Sequence, residues 1–128
     1  SMLAGLAFSN TRTTACHSIS YPLTMQCHIP HGVAVSLLLG PVLDLNLSAI
    51  ADVDALLDAF GVKEPYQAGE RITAILEAAG HRVHLRQWGA SEEMLPELVA
   101  HSITKGRADN NPVELTETVV YNILKSIL

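Results

Sequence analysis

The sequence predicts an all-α fold, one helical domain over residues 1–128. Apolar residues recur at three- and four-residue spacings with almost no strand-like alternation. Gly, Pro, Ser and Thr stand where helices begin and end. A chain of 128 residues that is 48% hydrophobic suits one core, because a domain of this size buries roughly two thirds of its unfolded surface without staples.

Each element follows from local pattern. A first helix is expected from Met2 to Tyr21, with Leu3, Leu6, Ala7, Ala15 and Ile19 on its apolar side and Pro22 as a kink or stop. Thr24 to Ile29 reads as a polar connector. Pro30 opens a second helix, about His31 to Leu43, since the missing N–H of Pro costs nothing in a first turn. That helix is apolar on nearly every face and should be central, bent or broken near Gly40-Pro41. Asp52 to Phe60 repeats Val53, Leu56, Leu57 and Phe60 before Gly61, a C-terminal cap. Pro65 to Ala79 follows, ended by Gly80. Ser91-Glu92-Glu93 starts another helix, ahead of Met94, Leu95, Leu98 and Val99. Thr104 to Asn111 is polar and loop-like, and Thr116 begins a last helix with Val119, Val120, Ile123, Leu124 and Ile127.

Composition removes several functions. The net charge of −5 and the absence of any basic run argue against nucleic acid. Aromatics at 5% are too few for a base-stacking surface. The longest apolar run, Val33 to Leu39, stops at Gly40-Pro41, short of the roughly 18 to 20 residues of a membrane span. The mean hydropathy of +0.25 is then read as surface meant for a protein partner. Cys16 and Cys27 make no disulfide framework, and no basic leader precedes the first apolar stretch, so a cytoplasmic setting is expected. Ser1 before Met2 reads either as a cloning remnant ahead of a start codon or as the edge of an excised domain.

Histidine placement carries the chemistry. His17 lies late in the first helix and His31 opens the second, fourteen residues on. Helices joined this way run roughly antiparallel, so both imidazoles can point into one gap. The positive end of a helix beside His31 disfavours imidazolium, and neutral imidazole is the metal-binding form. Spacing alone leaves two ordinary, hydrogen-bonded histidines the more frequent outcome. Cys16, Cys27 and His28 could add soft ligands to a zinc site, but Cys16 beside His17 on a helix points roughly 100° away. A Cys–His nucleophile pair has no orienting third group in view. His81, Arg82, His84 and Arg86 read as a solvated basic patch.

The segments Ala4-Gly5-Leu6-Ala7-Phe8-Ser9-Asn10, Cys16-His17-Ser18-Ile19-Ser20-Tyr21-Pro22-Leu23 and Ile29-Pro30-His31-Gly32-Val33 together resemble the signature of iron-containing alcohol dehydrogenases. That signature has A-G-x-A-F-x-N, then a histidine, then P-H-G opening a helix. The resemblance continues through Leu85-Arg86-Gln87-Trp88-Gly89-Ala90, Glu93-Met94-Leu95-Pro96-Glu97-Leu98 and Asn111-Pro112-Val113-Glu114-Leu115-Thr116, and so covers nearly the whole chain. It implies the helical C-terminal domain of such an enzyme. It also implies a divalent metal, iron or zinc, held by one aspartate and three histidines, two of which match His17 and His31. The metal would polarise the substrate oxygen while NAD(P) exchanges a hydride.

Two departures qualify that reading. Many members carry a second histidine, with a part in proton transfer, four residues after the first, where this chain has Tyr21. The Tyr-Pro-Leu variant resembles a branch acting on small aldehydes, phosphonate-bearing ones among them. The family's N-terminal nucleotide-binding half, with its Gly-rich turn, aspartate and third histidine, is not represented. NAD(P) is therefore not expected to bind this chain alone, and no turnover is expected from it. Two expectations stand side by side: an enzyme part that works with a separate nucleotide-binding chain, or a homo-oligomeric helical module without catalysis.

Overall fold

The computed structural model describes Met2, Leu3, Leu6 and residues 13–128. Among these there is no strand, and the fold is the expected all-α bundle. Its helices are α1 (Ala15–Cys27), α2 (His31–Asn46), α3 (Val53–Phe60), α4 (Pro65–Ala78), α5 (Leu95–Ser102) and α6 (Glu117–Ser126), joined by short 3₁₀ turns. The central helix α2 packs against α1 on one side and α4 on the other, while α5 lies on α1 and α6.

The expected first helix needs correction. Met2, Leu3 and Leu6 are helical, and most of the Ala4–Asn10 signature segment lies outside the described residues. Thr13 and Thr14 are not helical. The helix carrying His17 starts at Ala15 and runs through Pro22 to Cys27, which shrinks the expected Thr24–Ile29 connector to 28–30. A mid-helix proline costs about 3 kcal/mol. Against it stands a four-residue stripe, Ala15, Ile19, Leu23 and Cys27, all buried. Each large apolar side chain contributes about 1.5–3 kcal/mol on burial, so the stripe outweighs the proline. The helix ends at His28, which takes a left-handed φ of 54° while the next amide, that of Ile29, reaches back to the Leu23 carbonyl.

Helix α2 likewise passes Gly40-Pro41 instead of breaking there, and reaches Asn46. The reason is a close crossing: a Cβ on Gly40 would sit 3.0 Å from the Cα of Gly69, so α2 and α4 meet backbone to backbone. With the helix unbroken at Gly40-Pro41, the stretch His31–Ala49, of mean hydropathy 1.6, is long and apolar enough to cross a membrane by length and composition. In this fold it is the core helix, with Ala34 and Leu38 fully buried.

The remaining elements follow the sequence. Asp52 accepts the Ala55 N–H at 2.9 Å and Gly61 closes α3 at φ 66°. Thr116 accepts the Val119 N–H at the start of α6. Ser91 precedes a 3₁₀ turn, Glu92–Met94, and α5 follows directly. Asn46 and Asn111 exchange amide hydrogen bonds of 3.0 and 2.9 Å, pinning the Asn-Pro-Val-Glu-Leu-Thr segment to the end of α2.

Candidate functional site

The buried stripe of α1 faces the core, so the other side of that helix faces out. His17 and Tyr21, one turn apart, both lie there. Only three residues separate the end of α1 from the start of α2, which brings His31 back beside them. The His17 and His31 ring centres are 5.3 Å apart with planes at 63°. Tyr21 stacks on His31 at 5.5 Å and 26°. The imidazole pair anticipated from spacing is thus brought together.

Ser20 sets how His31 is oriented. Its hydroxyl is buried, donates to the His17 carbonyl at 2.9 Å and lies 3.4 Å from His31 Nδ1. Its one proton is spent on the carbonyl, so only lone pairs remain for the ring. That contact takes the tautomer with hydrogen on Nδ1 and leaves Nε2 as the lone-pair nitrogen. Burial holds His17 below the usual imidazole range, helped by coulombic repulsion from its neighbours His31 and Arg107. Its ring is therefore neutral at physiological pH, the form a metal requires.

The geometry suits one shared ion. With metal–nitrogen bonds of about 2.1 Å, two imidazoles on a tetrahedral ion have ring centres roughly 5 Å apart. The ligand count is smaller than a catalytic site needs: among the described residues, no group of three or more His, Cys, Asp or Glu converges. The thiols do not contribute. Cys16 and Cys27 are buried in the core, and burial pushes the Cys16 thiol up to about 11 and the Cys27 thiol upward too. Neither is a nucleophile or a soft ligand in that state. His28 is exposed at the end of α1, and the basic residues at 81–86 form an exposed turn in which Arg82 lies over Trp88.

One residue of this site was not foreseen. Arg107, from the loop after α5, holds its guanidinium carbon 4.5 Å from the centre of the Tyr21 ring. The loop is tied down by Ser18, which donates its buried hydroxyl to the Ser102 carbonyl and accepts the Thr104 N–H at 3.3 Å. The Arg107 and Ala108 amides then fold back onto the Thr104 carbonyl. Arg107 is ninety positions from His17, and no spacing rule connects them.

Comparison with known proteins agrees with this architecture. The family model for the C-terminal part of the Fe-containing alcohol dehydrogenase family matches residues 1–128. A 1,3-propanediol dehydrogenase of Klebsiella pneumoniae is 31% identical over 98% of this chain and 35% of its own length. A phosphonoacetaldehyde reductase of Streptomyces viridochromogenes is 30% identical over 88% of this chain and 31% of its own. Among solved structures, a sulfoacetaldehyde reductase from Bifidobacterium kashiwanohense, in complex with NAD+, superimposes with a TM-score of 0.77 at 28% identity, covering 91% of this chain and 31% of that one. The chain spans about a third of the length of these two curated relatives.

Proposed function

The chain belongs to the Fe-containing alcohol dehydrogenase family, and on that premise we propose that it is the metal-binding half of an NAD(P)-linked alcohol–aldehyde oxidoreductase, with His17 and His31 as ligands of one divalent ion, iron or zinc. The 5.3 Å pairing of the two rings carries this reading. An ion bound there would act as a Lewis acid toward the alcohol or aldehyde oxygen during hydride exchange. His17 contributes a ring kept neutral, and Ser20 orients His31 so that Nε2 is free. Tyr21 forms a wall of the site through its stack on His31. The relatives' names speak of 1,3-propanediol, phosphonoacetaldehyde and sulfoacetaldehyde, and we take a small alcohol or aldehyde as the substrate class.

These 128 residues hold two of the proposed ligands and no Gly-x-Gly-x-x-Gly turn. We therefore assign them no NAD(P) binding or turnover on their own; a nucleotide-binding domain or partner chain would complete the site. The unpaired, buried cysteines suit a reducing cytoplasm, and the acidic charge suits neither nucleic acid nor an anionic membrane surface. A second reading, a homo-oligomer without catalysis, is supported by exposed Met25, Leu39, Tyr66 and Ile75.

Equilibrium dialysis against Co2+ tests the metal, with light scattering to report assembly. Wild type should take up one ion per chain and both His17→Ala and His31→Ala should lose most of it. Equal uptake by all three proteins overturns the metal site. NAD(P)H-dependent reduction of a small aldehyde above the His31→Ala control overturns the claim of inactivity.

A further inference from the structure

Arg107 is a half-buried cation whose guanidinium has, among the described residues, no carboxylate within ion-pair distance and no hydrogen-bond acceptor. It lies over the face of Tyr21. The acid on the same loop, Asp109, is engaged by the Gly106 N–H. A guanidinium carries five N–H donors in a planar fork that matches an oxyanion, and stacking on an aromatic ring holds the fork in place without using any donor. In a chain of net charge −5, this is a local positive point beside two histidines.

We propose that Arg107 is the docking point for an oxyanion on the substrate, so that the substrate class is a short alcohol or aldehyde ending in a phosphonate, sulfonate or carboxylate. The inference rests on the proposed function, since it takes the reacting oxygen to lie at His17 and His31. The ring spacings limit the length. The guanidinium carbon is within roughly 10 Å of the His31 ring centre, the two contacts laid end to end. After allowing for the oxygen at the histidines and the salt bridge at the arginine, that upper bound admits a linker of up to roughly four carbons. Ser18 serves as the positioning residue, because its two hydrogen bonds fix the loop that carries Arg107. A phosphate of the nicotinamide cofactor has the same anionic chemistry, and the test separates the two.

The experiment follows the Arg107 side-chain N–H and Tyr21 ring signals by NMR in the full chain, with circular dichroism confirming the fold of each variant. The probes are 2-hydroxyethylphosphonate, neutral 1,3-propanediol and NADP+. The phosphonate should give saturable shifts, the diol none, and Arg107→Gln should weaken phosphonate binding by roughly tenfold or more, as expected for loss of a charged hydrogen bond. Arg107→Gln should still take up Co2+. Equal phosphonate affinity in the variant, an equal response to the diol, or a response to NADP+ alone would overturn the proposal. Loss of Co2+ uptake in wild type with the phosphonate response intact would instead overturn the metal reading and leave the anion site standing.

Discussion

Ser18→Ala probes the link between the bundle and the site most sharply. Ser18 and Ser102 are both fully buried, and the Ser18 hydroxyl is the partner of the Ser102 carbonyl, one of the last carbonyls of α5 with no intrahelical N–H to receive. The same oxygen accepts the Thr104 N–H, which lies nearer to water. Removing the hydroxyl strands the buried carbonyl, at about 1–3 kcal/mol, while water can replace the partner of the amide. For a domain of this length the loss corresponds to a fall in Tm of about 4–11 °C. Scanning calorimetry of wild type and variant reads the stability, and NMR reads the loop. The Arg107 and Tyr21 signals should lose their mutual contact, while the His17–His31 proximity persists. A Tm unchanged within error, with the Arg107–Tyr21 contact intact, would refute the reasoning.

Two further outcomes follow from the geometry. Because the folded state holds His17 below the ordinary imidazole value of 6.5, its contribution to stability is present above that value and lost as pH falls through the lower folded-state value. His17→Gln should flatten the acid limb of a Tm-versus-pH curve, and an unchanged limb would count against the assignment. Gly40→Ala should destabilise despite a helix-propensity gain of up to about 1 kcal/mol, because its Cβ would press on the Gly69 backbone at a cost of about 1–3 kcal/mol. Denaturant titration showing a more stable variant would mean that the two helices are free to separate.

The parts of the molecule legible in the sequence are those decided within a few residues. Asp52, Gly61 and Thr116 end or begin helices through bonds to amides or carbonyls three to five positions away, so composition reveals them. The His17–His31 pair was legible for a related reason: a short link forces α2 back along α1. Pro22 and Pro41 misled because a local rule met a tertiary one, and the buried stripe of α1 and the Gly40–Gly69 crossing prevailed. Ser18 and Arg107 carried no readable signal. Their partners, Thr104 and Tyr21, lie more than eighty positions off and meet them only once α5 has packed on α1. Ser20 was visible as a neighbour of His17 but its second role, facing His31, needed the turn between the helices.

The central claim is that His17 and His31 present lone pairs to one ion, and nitrogen-15 NMR of the histidine rings under Zn2+ titration tests it directly. A ring nitrogen of His17 and Nε2 of His31 should shift together and saturate at one ion per chain, with His31 Nδ1 keeping its hydrogen. Shifts in only one ring, or metal bound through His31 Nδ1, would contradict it.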